Sequence, residues 1–373
     1  MNKKRAMVAG HLCLDITPVF PDGLDVTGQL FVPGKMIQVE AADIHTGGVV
    51  SNTGLAMRKM GADVILTAKI GRDKFGDSVA AIMKSYQAEE GLLVSENSTT
   101  SYSIVLAPPG LDRMFLHHSG ANDELTAEEL TDAMNDEIDL FHFGYPPVMK
   151  QIYQNQGQGL EEVYRRAGEL GIITSLDLCV ADPQSPAGRE NWPLILERVL
   201  PYVDIFVPSI EELCSMVWPE VYREWLVRAG GKDMVEILDY DKDIVPLAEK
   251  VMSMGPKVLL LKCGSRGLYY GTSDAEGLSR ISRKFQLDVD EWADCFGFET
   301  SYRPEKIRSA TGAGDTCVAA FLTSLMRGYP LKKCVRLAAA QGASCVESYD
   351  ALSGLRTLEE LEEKIEAGWK KTC

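Results

Sequence analysis

The chain has 373 residues and a mass of 41.0 kDa, enough for a large core and one smaller domain. Its 38 Lys and Arg against 54 Asp and Glu give a net charge of -16, which argues against a nucleic-acid partner without a basic patch, and none exceeds Lys3-Lys4-Arg5. A hydrophobic content of 45% and a mean hydropathy of -0.08 describe a globular enzyme or binding protein. Free nucleotides stay open as ligands, because a pocket can be locally positive in an acidic protein.

The nine cysteines include no C-x-x-C pair, and most lie in apolar runs, as free thiols do in a reducing cytosol. With five histidines at unsuitable spacings, a zinc site is not expected. The basic N-terminus does not open a signal peptide, since His11 and Asp15 break the apolar run from Ala6. No run approaches transmembrane length. A cytoplasmic protein with no membrane partner is the expectation.

In chain order, Ala6 to Gly10 reads as a short buried strand, which places Asp15 at or just beyond its end. Ligands of open α/β sheets collect at that carboxyl edge; a turn aspartate is the plainer alternative. From Ile16 to His45, Pro and Gly punctuate short pieces such as Gln29-Leu30-Phe31-Val32 and Met36-Ile37-Gln38-Val39. A second such patch, Thr99 to His117, contains Tyr102 to Leu106 and Arg113 to His117. Together they predict a small sheet acting as a lid. The division is therefore 1–15, 46–98 and 119–373 for the main domain, and 16–45 and 99–118 for the lid.

Between the patches, Gly47-Gly48 is a turn that lets backbone approach a ligand. Asn52 follows, offering donor and acceptor at a helix start, and the helix stops at Gly61. Further strands are predicted at Val64 to Ala68, Leu140 to Gly144, Ile172 to Asp177, Val203 to Val207 and Lys257 to Lys262, with helices between them. Glu211 and Glu212 fall in a helix's first turn, where acids are favourable in any case. Lys262 leads into Cys263-Gly264-Ser265-Arg266-Gly267. The order βαβα implies a mostly parallel sheet covered by helices on both faces. There is no G-x-G-x-x-G at the N-terminus and no G-x-x-x-x-G-K-[ST], which disfavours a nicotinamide-dependent dehydrogenase and a P-loop enzyme.

Near the C-terminus Thr311-Gly312-Ala313-Gly314-Asp315 runs into the apolar Val318 to Leu322. Glycines at a helix start expose backbone amides to an anion. An acid placed next can meet a hydroxyl facing that anion, the pairing that phosphoryl transfer needs. As a lone motif, Asp315 reads equally as a capping residue.

Three segments together, Gly10 to Asp15, Gly47 to Asn52 and Ala310 to Phe321, resemble the ribokinase-like, or PfkB, family of carbohydrate kinases, over nearly the whole chain. The resemblance implies a three-layer αβα domain with a mostly parallel central sheet and a small β lid. It also implies an ATP- and Mg2+-dependent transfer to a hydroxyl of a sugar or related polyol. By the same resemblance, Asp315 matches the catalytic base, and Gly312, Ala313 and Gly314 the anion hole. Cys13, Asp15, Gly47, Gly48 and Asn52 match substrate contacts. Ser209, Glu212, Lys262, Gly264 and Gly267 fall on the nucleotide side, with Glu212 helping to organise the metal.

The sequence departs from the family at several points. Ser309 stands where an aspartate commonly helps hold a monovalent cation, so potassium activation stands in question. Ser209 replaces an asparagine, Gly144 replaces a substrate-reading side chain, and Asp177 stands for an asparagine near the phosphates. Arg308 could add charge there or lie on the surface. His117, His118 and His142 fall near the substrate region, and Arg280 to Arg303 reads as a lengthened nucleotide-side loop. A nucleoside kinase and a non-catalytic sugar- or nucleotide-binding relative are the alternatives. No long basic lid accompanies the site, which favours an unphosphorylated acceptor. An exposed lid strand would allow a homodimer.

Overall fold

The computed structural model describes residues 4–21, 32–108 and 114–372. Among them are the strands β1 (Arg5–Gly10), β2 (Cys13–Thr17), β3 (Asp43–Gly47), β4 (Asp63–Gly71), β5 (Leu92–Ser95), β6 (Tyr102–Leu106), β7 (Met114–His118), β8 (Leu140–Gly144), β9 (Ile173–Asp177), β10 (Ile205–Phe206), β11 (Val258–Cys263), β12 (Gly267–Thr272) and β13 (Phe296–Thr300). Nine form one sheet in the order β13-β12-β11-β10-β9-β8-β1-β4-β5. The pairings from β11 to β5 are parallel, and β12 and β13 add an antiparallel edge.

Helices cover both faces, which is why the central strands are almost continuously apolar. Alternate residues serve different layers. Ala6 and Val8 of β1 pack with Val318, Phe321 and Leu322 of the helix Ala313–Met326. Met7 and Ala9 pack with Leu160, Val163 and Tyr164 of the helix Lys150–Glu169. The helix Ala313–Met326 is buried on all sides from Asp315 onward, so its start is rigidly placed at the carboxyl edge of the sheet. There Gly10, Gly144 and Asp177 stand side by side. A side chain on Gly10 would strike the Gly144 carbonyl, and one on Gly144 would strike Val49.

The small sheet has the order β3-β2-β6-β7. It takes in Cys13 to Asp15 and Thr46-Gly47, residues that the sequence division gives to the main body. Asp15 therefore lies mid-strand in β2, not at the end of β1. Hydrogen bonding to β3 and β6 on either side draws the whole of β2 into this sheet, a pairing invisible in local pattern.

Other expectations are corrected. Met36 to Val39 forms no strand. Arg280 to Arg303 is not a loop: it holds the end of the helix Ala275–Phe285, the helix Val289–Trp292 and β13. Its Trp292 is buried in the core. Gln29 to Phe31 and Arg113 lie outside the described residues. No helix among the described residues is long and apolar enough to cross a membrane.

Candidate active site

The Thr311 to Asp315 turn is built by Gly312. At φ 74° it sits in the left-handed region, which penalises any side chain. A methyl there would also strike Ala351. Gly312 caps the helix Ala313–Met326 without a side-chain hydrogen bond. The Ala313 amide reaches Ala310 O and the Thr316 amide reaches Gly312 O. Between them, the Gly314 and Asp315 amides have no backbone acceptor among the described residues. Unpaired amides at a helix start form an anion site.

The Lys262 side chain lies over this turn, its Nζ 3.6 Å from where a Gly314 Cβ would be. Its ammonium donates to both Asp177 oxygens, at 2.8 and 2.7 Å. Asp177 is fully buried. Burial raises its carboxyl and the Lys262 charge opposes this, while Glu212 and Asp315 add to the rise. Burial alone would lower Lys262, but the Asp177, Glu212 and Asp315 carboxylates outweigh it and raise the ammonium. Asp177 is thus compensated by a lysine from β11, beyond the short β10, the condition for tolerating an acid near phosphates.

Asp315 is 4% exposed. Asn52 Nδ2 donates to its Oδ2 at 2.9 Å, and Tyr145 OH donates to its Oδ1 at 2.7 Å. Asp15 faces the same space from the small sheet, and its carboxyl is raised by burial and by the Asp315 charge, against the hydrogen bonds from Cys13 and Ser103. Cys13 Sγ donates to Asp15 Oδ1 at 3.1 Å. Gly47 lies against Asp15, where any side chain would overlap the carboxylate, and Gly48, at φ 86°, lies against His11. The structure therefore brings Cys13, Asp15, Gly47, Gly48, Asn52, Lys262, Gly312, Ala313, Gly314 and Asp315 to one place.

Glu212 joins this set through its charge, which acts on Lys262, Asp177 and Tyr145. It also forms a capping box with Ser209: the Ser209 amide donates to Glu212 Oε2 at 2.8 Å, and the Glu212 amide donates to Ser209 Oγ. Gly264 and Gly267 flank the turn after Lys262, but their contacts are structural. Gly264, at φ 51°, packs beside Val235, and a side chain on Gly267 would strike the Glu299 carbonyl of β13. Arg308 lies over the Tyr349 ring, 5.0 Å from its centroid. His117 meets Ser103 at 3.1 Å and the His11 ring at 5.0 Å. His118 meets Thr99. His142 is buried behind the site against Ser175, where burial and Lys262 lower it to about 3.

Sequence reasoning missed Tyr145, His11, Ser103 and Cys179. Each follows or lies within a strand end whose tertiary neighbours no local pattern reveals. The nearest signal was Gly144, singled out one position before Tyr145. Cys179 lies two residues past Asp177, and burial and the Glu212, Asp177 and Asp315 charges hold its thiol well above the usual value. No group of three metal-ligating side chains gathers among the described residues, so a Mg2+ ion would depend on phosphates and water as well as on protein. The residues fit such a group: unpaired amides and Lys262 for a phosphate, and the Glu212 Oε1 for the ion's water shell.

The architecture is that of the α/β three-layer ribokinase-like fold. A ribokinase of Giardia lamblia aligns with a TM-score of 0.70 at 17% identity, over 98% of this chain and 99% of that one. A fructokinase of Xylella fastidiosa with bound ATP aligns at 0.69 and 18%, over 98% and 99%. The pfkB family carbohydrate kinase description matches residues 12–358, and the chain belongs to that family of ATP-dependent kinases. Among curated proteins it is 22% identical to an uncharacterized sugar kinase of Archaeoglobus fulgidus, over 81% of this chain and 98% of that protein. It is 26% identical to fructokinase-1 of Zea mays, over 86% and 88%.

Proposed function

We propose that this protein transfers the terminal phosphoryl group of ATP to a hydroxyl of an unphosphorylated sugar or related polyol. The observation that carries the reading is the meeting of Asp315, the unpaired amides of its turn and Lys262 around one space, with Asp15 facing them. ATP with Mg2+, when bound, supplies the phosphoryl group and neutralises its charge; the Gly314 and Asp315 amides and Lys262 would hold its phosphates, Gly312 and Ala313, whose amide is taken by Ala310 O, would shape that turn, and Glu212 would hold the metal through water. Asp15 orients the acceptor by accepting from its hydroxyls. Asp315 takes the proton from the attacking oxygen. Its existing hydrogen bonds fix its orientation and still leave lone pairs for that proton. Ser209 serves by holding Glu212 in place. The preference for a neutral acceptor follows from charge: among the described residues Asp15, Asp315, Asp177 and Glu212 outnumber the Lys262 ammonium in the site, and a phosphate or carboxylate beside Asp15 would be repelled.

The small sheet would close over the acceptor and exclude water. Its edge strand β7 exposes Met114 and Leu116, which supports a homodimer through this sheet. ATP consumption over a panel of sugars, sugar acids, polyols and nucleosides tests the reading, with Asp315→Asn as control. The variant keeps binding and loses about a hundredfold or more in turnover. Near-normal turnover in that variant refutes it. A wild-type chain that binds members of the panel without consuming ATP marks the non-catalytic relative instead.

A further inference from the structure

We propose that Tyr145 is the positioning residue of the Asp315 base: its phenol holds the carboxylate ionised and turned toward the acceptor. The inference rests on the reading of Asp315 as the base.

Tyr145 follows β8 directly and has φ 68° and ψ 43°. A bulky residue in the left-handed region is unusual, and it persists only where the surroundings over-determine it. Three contacts do so here. Gly144, held against Gly10 and Val49, brings the chain to the carboxyl edge. The Tyr145 ring stacks on His11 at 5.9 Å and 26°. Its hydroxyl donates to Asp315 Oδ1 at 2.7 Å. The left-handed turn aims the side chain back over the site instead of along the strand.

The phenol is also suited to a permanent donor. Burial, then the Asp315 and Asp177 charges, push its own pKa well above the usual value, so it keeps its proton wherever the protein is folded. A donor to the charged form of a carboxylate favours that form. Asn52 donates to the other oxygen. The base is thus gripped from two elements, and only its remaining lone pairs face the acceptor. The other ionisable groups acting around Asp315 are Asp15 from β2, Asp177 from β9, Cys179 just beyond it, Glu212 from the helix Ile210–Val217 and Lys262 from β11. All five stay in place in a Tyr145 variant, and Tyr145→Phe also keeps the ring on which buried His11 stacks, so a change in the titration of Asp315 in that variant reports the lost phenol.

The test is a carbon-13 carboxyl titration of aspartate-labelled full-length protein, with Asp315 assigned by its missing signal in Asp315→Asn. Tyr145→Phe keeps the ring and removes the donor. The Asp315 midpoint rises by about one pH unit, the scale of one hydrogen bond to a charged group. Tyr145→Asn, which tolerates the left-handed backbone, gives the same rise if the phenylalanine variant folds poorly. With the acceptor returned by the panel, Tyr145→Phe loses about tenfold in kcat at neutral pH with acceptor KM little changed, and the acid limb of kcat moves up by the same amount. A midpoint and acid limb that stay where wild type has them overturn the proposal. An active Asp315→Asn overturns the base itself, and the titration then tells separately whether Tyr145 governs that carboxyl.

Discussion

Replacing Lys262 by methionine removes the cation over Asp177 while keeping a stem of similar length. The Asp177 side chain is fully buried and that of Lys262 is 11% exposed. Removing one partner of such a buried pair costs about 3–5 kcal/mol, because the other charge is left uncompensated. That cost depends on pH in a defined direction. The folded Asp177 carboxyl is already raised by burial, and without Lys262 it rises further. The folded state then keeps a proton that the unfolded chain has released, so stability falls as pH climbs from the ordinary carboxylate pKa to the folded value. Wild type carries a raised carboxyl too, so both chains lose stability together until wild-type Asp177 ionises; only above that pH does the variant fall further behind, by roughly 1–2 kcal/mol per unit. The variant should therefore be weaker than wild type by roughly 1–2 kcal/mol near pH 8 and closer to it near pH 5.5. Urea unfolding followed by tryptophan fluorescence at both pH values measures this. A loss that is the same at both, or no loss at all, refutes the account of Asp177 as a buried charge held by one lysine.

Gly312→Ala should cost about 1–2 kcal/mol through its left-handed backbone, more where it meets Ala351, read as a fall in melting temperature. In Gly314→Ala the methyl's nearest neighbours are the end of the Lys262 side chain at ordinary contact, 3.5–3.7 Å; it should keep its melting temperature while the KM for ATP rises about tenfold or more, since the methyl covers the amides. Asp15→Asn should raise the acceptor KM with no loss of melting temperature at neutral pH, because burial already disfavours the charge it removes. Ser209→Ala should cost about 1 kcal/mol in urea unfolding, the worth of a helix cap.

The layered sheet was legible because its strands are continuous apolar runs between turn residues, and the start of the helix Ala313–Met326 because Gly312 and Gly314 announce it. The small sheet was half legible. Tyr102 to Leu106 shows the composition of a strand, but β2 is claimed by its neighbours β3 and β6, and local propensity cannot register that competition. The same limit hid the partners of Asp315. Its place at a helix start is written in five consecutive residues, whereas Tyr145 and Asn52 reach it from positions 170 and 263 residues away in the chain. The pairing of Asp177 with Lys262, 85 residues on, was out of reach of any local pattern for the same reason.

The two acids of the site ride on different sheets: Asp15 on β2, Asp315 at the head of an enclosed helix of the main layer. The links between those carriers are short, running from Gly10 to Cys13 and from Gly47 to Val50. Asn122 grips the first link by accepting from the Leu12 amide at 3.3 Å and donating to the Leu12 carbonyl at 2.9 Å. On the proposed roles, the gap between acceptor grip and proton acceptor is thereby tied to the angle between the two sheets, and a tilt would change that gap while each acid keeps the hydrogen-bond partners that ride with it.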